Sequence, residues 1–179
     1  MIKGHVFIAT SLDGFIARPD GDIAWLLKRD DPSEDHGYNS FMANIDGIIM
    51  GRGTYEKVAA MEQWYYEKPV IVLSKTLRQQ DLPARLADKV RIMNLTPREI
   101  MKLLEEQSWK HVYVDGEQVI QSFLRENLID DLVITQVPVL IGQGLSLFGS
   151  INEDISLKLL KTTPFPSGLL QTHYKICQN

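Results

Sequence analysis

The run Gly47-Ile48-Ile49-Met50-Gly51-Arg52-Gly53-Thr54-Tyr55-Glu56 passes from strand to helix through glycine. Its first four residues are apolar and too short for a helix, so a buried strand is expected. Gly51 stops that run, and a short helix is expected to follow through Met61. A strand ending in glycine lets a ligand approach the backbone closely. The helix that begins there offers free N–H groups and the positive end of its dipole, which suits phosphate. Thr54 adds a hydroxyl donor and Arg52 a planar cation. The spacing fits neither the Rossmann nor the P-loop pattern. A plain strand-to-helix turn with a surface arginine explains it equally well.

The same alternation extends in both directions. Apolar runs at 5–9, 70–73, 90–93, 111–115 and 131–137 read as strands. Ser33 is expected to cap a helix whose inward residues are Tyr38, Phe41, Met42 and Ile45. Thr96-Pro97-Arg98-Glu99 is a capping box with proline at the first helical position. Gly116 opens a helix with Val119, Ile120, Phe123 and Leu124 facing inward. Segments 156–163 and 169–176 flank Pro164-Phe165-Pro166-Ser167-Gly168 as an antiparallel hairpin. Residues 10–22 read as a polar loop, with turns at Asp13-Gly14 and Pro19-Asp20-Gly21. Strands alternating with helices imply an α/β fold, mainly parallel, made mixed by the hairpin. Ligands collect at the carboxyl ends of such strands.

Composition narrows the function classes. The 179 residues are 44% apolar and 23% charged, an average globular mix for one domain over 1–179. Nineteen basic residues against 23 acidic give a net charge of −4, so a basic nucleic-acid face is not expected. The early run Val6-Phe7-Ile8-Ala9 is far short of the ~20 residues of a membrane span. The lone Cys177 cannot pair within the chain and fits a reducing, cytoplasmic setting. His5, His36, His111 and His173 show no metal spacing, so no metal site is expected. Leu73-Ser74-Lys75 ends a strand with a hydroxyl and an ammonium, able to grip a phosphate together with Arg52. Val114-Asp115-Gly116-Glu117-Gln118 repeats the strand-glycine-helix pattern; Glu117 favours the dipole but would repel a phosphate it faced. The stretch Ser11-Leu12-Asp13-Gly14-Phe15-Ile16 is either a flap over a ligand or an ordinary turn, with Trp25, Asp35 and Tyr38 as candidate pocket residues near it. Gly142-Gln143-Gly144 reads as a turn or a subunit contact, and Trp64-Tyr65-Tyr66 as core packing or a dimer face.

Five motifs in order carry a resemblance. They are Thr10-Ser11-Leu12-Asp13-Gly14-Phe15-Ile16-Ala17, the run from Met50 to Glu56, Val112-Tyr113-Val114-Asp115-Gly116, Ile129-Asp130-Asp131-Leu132, and Pro138-Val139-Leu140-Ile141-Gly142-Gln143-Gly144. Together they resemble the dihydrofolate reductase-like superfamily. The branch they resemble is the reductase domain of bacterial riboflavin biosynthesis (RibD C-terminal type) and its stand-alone relatives. The resemblance implies a three-layer fold with a mixed sheet of eight strands. It implies NADPH, hydride transfer to a C=N or related group of a small heterocycle, and a cytoplasmic homodimer. By position, Ala9 and Ile16 would flank the nicotinamide, while Gly51, Arg52 and Thr54 would hold phosphates. Arg52, Ser74 and Lys75 would recognise the 2′-phosphate. Asp115, Gly116, Glu117, Gln118 and Val119 would carry the pyrophosphate. Trp25 and Tyr38 would contact substrate, and Asp13 or Asp35 would steer a proton-donating water. Dihydrofolate reductases carry two consecutive glycines where this chain has Gly116-Glu117, and riboflavin-type relatives tolerate a non-glycine there. A true dihydrofolate reductase using Asp35, or a non-catalytic NADPH-binding protein, are the alternatives.

Overall fold

A computed structural model of the chain describes residues 1–29 and 31–177. In order, the elements are β1 (Lys3–Ser11), β2 (Phe15–Ala17), α1 (Ala24–Leu27), α2 (Tyr38–Ala43), β3 (Gly47–Gly51), α3 (Arg52–Ala59) and β4 (Val70–Leu73). There follow β5 (Val90–Met93), α4 (Pro97–Glu106), β6 (His111–Asp115), α5 (Glu117–Arg125), β7 (Asp131–Val137), β8 (Leu145–Ser146), β9 (Leu157–Pro164) and β10 (Leu170–Ile176). Eight strands form one sheet in the order β5-β4-β3-β6-β1-β7-β10-β9. The first six are mutually parallel, and β10 runs antiparallel to both β7 and β9. β2 pairs with β8 in a separate two-stranded sheet.

The central strands are apolar on both faces because both are covered. Alternation along β3 sends Ile49 into a cluster with Val114, Ile100, Leu104, Ile120 and Phe123, under α4 and α5. Ile48 and Met50 point the other way, to Tyr55, Val72 and Tyr113 beneath α3. Three layers result. A nine-residue helix such as α5 is marginal alone. Burying Val119, Ile120, Phe123 and Leu124, at roughly 1.5–3 kcal/mol each, outweighs that deficit. The capping box of α4 forms as expected: Thr96 accepts from the Glu99 N–H, and the Glu99 carboxylate accepts from Thr96 N–H at 2.8 Å.

Three expectations are corrected. The helix expected from Ser33 begins only at Tyr38, behind Gly37 at φ 81°. Ser33 instead donates its N–H and hydroxyl to Asp31 at 2.9 and 2.7 Å, a local turn that competes with a helix. Glu34 then accepts from the N–H and hydroxyl of Ser167 at 2.7 and 2.6 Å, fastening this segment to the β9–β10 turn. The expected polar loop at 10–22 contains β2. Gly144 is required where β8 meets it, since a Cβ there would lie 2.2 Å from the Ala17 carbonyl oxygen. The third correction is to the flap. Its Leu12 N–H donates to Val139 O, and the Asp13 carboxylate accepts from Ile141 and Gly142, so the segment is bound down to the chain after β7. No helix among the described residues is long and apolar enough to cross a membrane.

Candidate active site

Strands β4, β3, β6 and β1 are neighbours and end on the same side. Two of them run straight into helices, β3 into α3 and β6 into α5. Neither helix start carries a side-chain cap, so its first N–H groups are left for a ligand. The two starts lie close together. Gly116 adopts φ +88°, and a Cβ on it would sit 2.5 Å from the Thr54 hydroxyl oxygen. Only glycine meets both conditions without strain.

These strand ends floor a cleft of about 990 Å³. That is the upper end of the ~300–1,000 Å³ of small-molecule sites. All twelve residues assigned above to a cofactor line it: Ala9 and Ile16; Gly51, Arg52 and Thr54; Ser74 and Lys75; and the five from Asp115 to Val119. At the β3–β4 end, Arg52 donates through Nε to Glu56 at 2.6 Å and through its terminal nitrogen to Thr76 at 2.8 Å. This orients the guanidinium and leaves three of its five N–H groups. The Ser74 oxygen accepts from the N–H groups of Thr76 and Leu77, so its own proton is free to be donated. Lys75 is exposed beside it. Glu56 engages one edge of the guanidinium, and the remaining Arg52 donors, the Ser74 hydroxyl and Lys75 suit a terminal phosphate.

At the β6 end the chemistry changes. Burial pushes the Asp115 carboxyl up to about 6. The Gly116 N–H, 2.9 Å from its Oδ1, and the hydroxyls of Tyr113 and Tyr66 pull the other way, but more weakly. Tyr113 gives its single proton to the Phe7 carbonyl at 2.9 Å. With that proton committed to Phe7, Tyr113 does little to hold the Asp115 charge. Tyr66 and Tyr38 are themselves raised by burial and by the Asp115 charge. The cleft thus holds a carboxyl pushed well above the usual carboxylate range by burial.

The other four candidates do not line the cleft. Asp13, held below the usual carboxylate range first by the Ser11 hydroxyl, is a loop staple. Asp35 is exposed and accepts from Gly37 N–H at 2.8 Å, an ordinary turn. Trp25 is core, packed with Val137 and Leu169. Tyr38 lies edge-on to Phe7 at 5.7 Å, behind the sheet end. Conversely, Lys57 lines the cleft and was not anticipated. Nor was a row of side chains away from it: His111 to His5 at 2.9 Å, His5 to Asp131 at 2.8 Å, and His173 3.5 Å from the same carboxylate.

Sheet order, flanking helices and antiparallel edge place the chain in the dihydrofolate reductase-like fold class. A dihydrofolate reductase from Enterococcus faecalis, complexed with NADP(H), superposes with a TM-score of 0.65 at 17% identity over 98% of this chain and 97% of that one. The chain belongs to the RibD C-terminal domain family, whose model matches residues 3–171. A candidate riboflavin biosynthesis protein from Shewanella sp. PV-4 superposes with a TM-score of 0.93 at 37% identity, covering 99% of this chain and 100% of that one. The uncharacterized protein YwjB of Bacillus subtilis (strain 168) is 31% identical over 176 residues, 96% of this chain and 97% of its own. A deaminase/5-amino-6-(5-phosphoribosylamino)uracil reductase from Thermotoga maritima matches at 16% identity and a TM-score of 0.75; the alignment covers 98% of this chain but 57% of that protein.

Proposed function

We propose that this protein is a cytoplasmic NADPH-dependent reductase that transfers hydride to a C=N or related group of a small heterocycle, in the manner of the riboflavin-pathway reductases. The observation that carries this reading is the cleft's lining: two uncapped helix starts side by side at the strand ends, with Arg52, Ser74 and Lys75 beside them. NADPH, held there, supplies the hydride. Arg52, Ser74 and Lys75 hold its 2′-phosphate, and the starts of α3 and α5 hold the remaining phosphates. The reduced group also needs a proton. We place its source at Asp115 rather than Asp13 or Asp35, because Asp115 lines the cleft and burial pushes its carboxyl up to about 6. Ile16 and Ala17 of β2 and Leu145 of β8 add an apolar wall to the cleft.

Fluorescence titration with NADPH and NADH tests the cofactor. Charge-assisted hydrogen bonds contribute ~1.5–3 kcal/mol each. Arg52→Ala should therefore weaken NADPH binding by roughly 10- to 100-fold and leave NADH nearly unchanged. Equal affinities in the unaltered protein, or no binding, would overturn the proposal. Oxidation of NADPH with pyrimidine but not dihydrofolate acceptors is expected.

We also propose a homodimer. Its support is the free edge strand β9, where Leu157, Leu159 and Leu160 are each 44–53% exposed. Exposed leucines along an unpaired edge are what a partner strand or face covers.

A further inference from the structure

We propose that Lys57 is the cation that allows a dinucleotide pyrophosphate to rest on the start of α5 despite Glu117; this rests on the NADPH reading above. Glu117 is the first residue of α5 and lines the cleft. A negative charge on the first residue of that helix opposes a pyrophosphate bound at the helix start unless it is compensated. Lys57 stands three residues after Thr54, on the same side of α3. Its ammonium occupies the space that a Cβ on Gly21 would fill, so it reaches from α3 to the loop between β2 and α1. Gly21, Thr54, Lys57 and Glu117 all line the same cleft. Among the described residues Lys57 makes no ion pair within 4 Å. Burial raises the Glu117 carboxyl and the Lys57 charge lowers it, so the two groups already interact. The ammonium faces the same cleft as Glu117 and, with no ion pair of its own among the described residues, can meet a second anion there.

A double-substitution cycle on the full-length protein tests this, with NADPH affinity as the readout. Lys57→Met should weaken NADPH at least tenfold in the native background and less than threefold alongside Glu117→Gln. Glu117→Gln alone should tighten binding, and Lys57→Arg should retain native affinity. A second readout is the pH profile of affinity. In Lys57→Met, binding should recover as pH falls and Glu117 takes up a proton. The other charged groups lining the cleft, Arg52, Lys75, Asp22 and Asp115, are common to both proteins, so the difference between the profiles isolates Glu117. An equal loss from Lys57→Met in both backgrounds would overturn this inference alone. Absence of NADPH binding by the unaltered protein would overturn it together with the reductase reading.

Discussion

Asp115 is a carboxylate set where its charge is costly. Its carboxyl moves from 3.8 to about 6, which by linkage amounts to about 3 kcal/mol. The sign follows from which state holds the proton. Below about pH 4 both folded and unfolded chains are protonated, and there is no difference. Between 4 and 6 the unfolded chain releases its proton first, and above 6 the folded chain carries an unfavourable charge. Asp115→Asn should therefore raise stability at pH 8 by up to about 3 kcal/mol, and by less than about 1 kcal/mol at pH 4. Denaturant midpoints at the two pH values check this; an equal gain at both would contradict the raised affinity for protons. The same variant should turn over more slowly. The sequence places Asp115 in a phosphate loop, since strand-glycine-helix is all a local pattern reveals. Its acidity is set first by burial, which arises only once distant parts of the chain pack around it, and so was not legible. Asp35 shows the converse: an acid near a helix start is also how a turn is made.

The β6–α5 turn is the element on which the cleft depends. Gly116→Ala should be destabilising by more than about 1 kcal/mol, because the backbone is at φ +88° and the new methyl meets Thr54. For a chain of this length that is a fall of roughly 2–4 °C or more in Tm, measurable by calorimetry. NADPH affinity should fall with it. The strands β4, β5, β6 and β7 have the limits expected from sequence, because each is a short apolar run ended by glycine, proline or a polar residue. β2 and β8 were hidden for a physical reason. They are three and two residues long, and their only signal is each other. The helix expected at Ser33 failed because Asp31 closes a local turn and Glu34 is drawn to Ser167 in the β9–β10 turn, which periodicity does not register.

At the scale of the molecule, the exposed leucines of β9 define the most direct test of assembly. Leu157 and Leu159 face the same side, opposite Ile176 and Tyr174. Leu159→Lys should shift a dimer to monomer in sedimentation velocity without loss of the fold; a native monomer would remove the proposal. The α/β class and mixed sheet were legible because alternation of elements is a chain-long pattern. The histidine row was not, since β6, β1, β7 and β10 become neighbours only in the folded sheet. The wall formed by β2 and β8 has a further bearing, on traffic. Asp13 bonds to Gly142 at 2.8 Å and Leu147 N–H to Gly14 O at 3.0 Å, so this segment cannot swing without unzipping the chain after β7. It makes a poor door. Entry and exit are then left to the rim where Lys57, Met61 and Lys75 are exposed, and a ligand leaves by the same side that its phosphates grip.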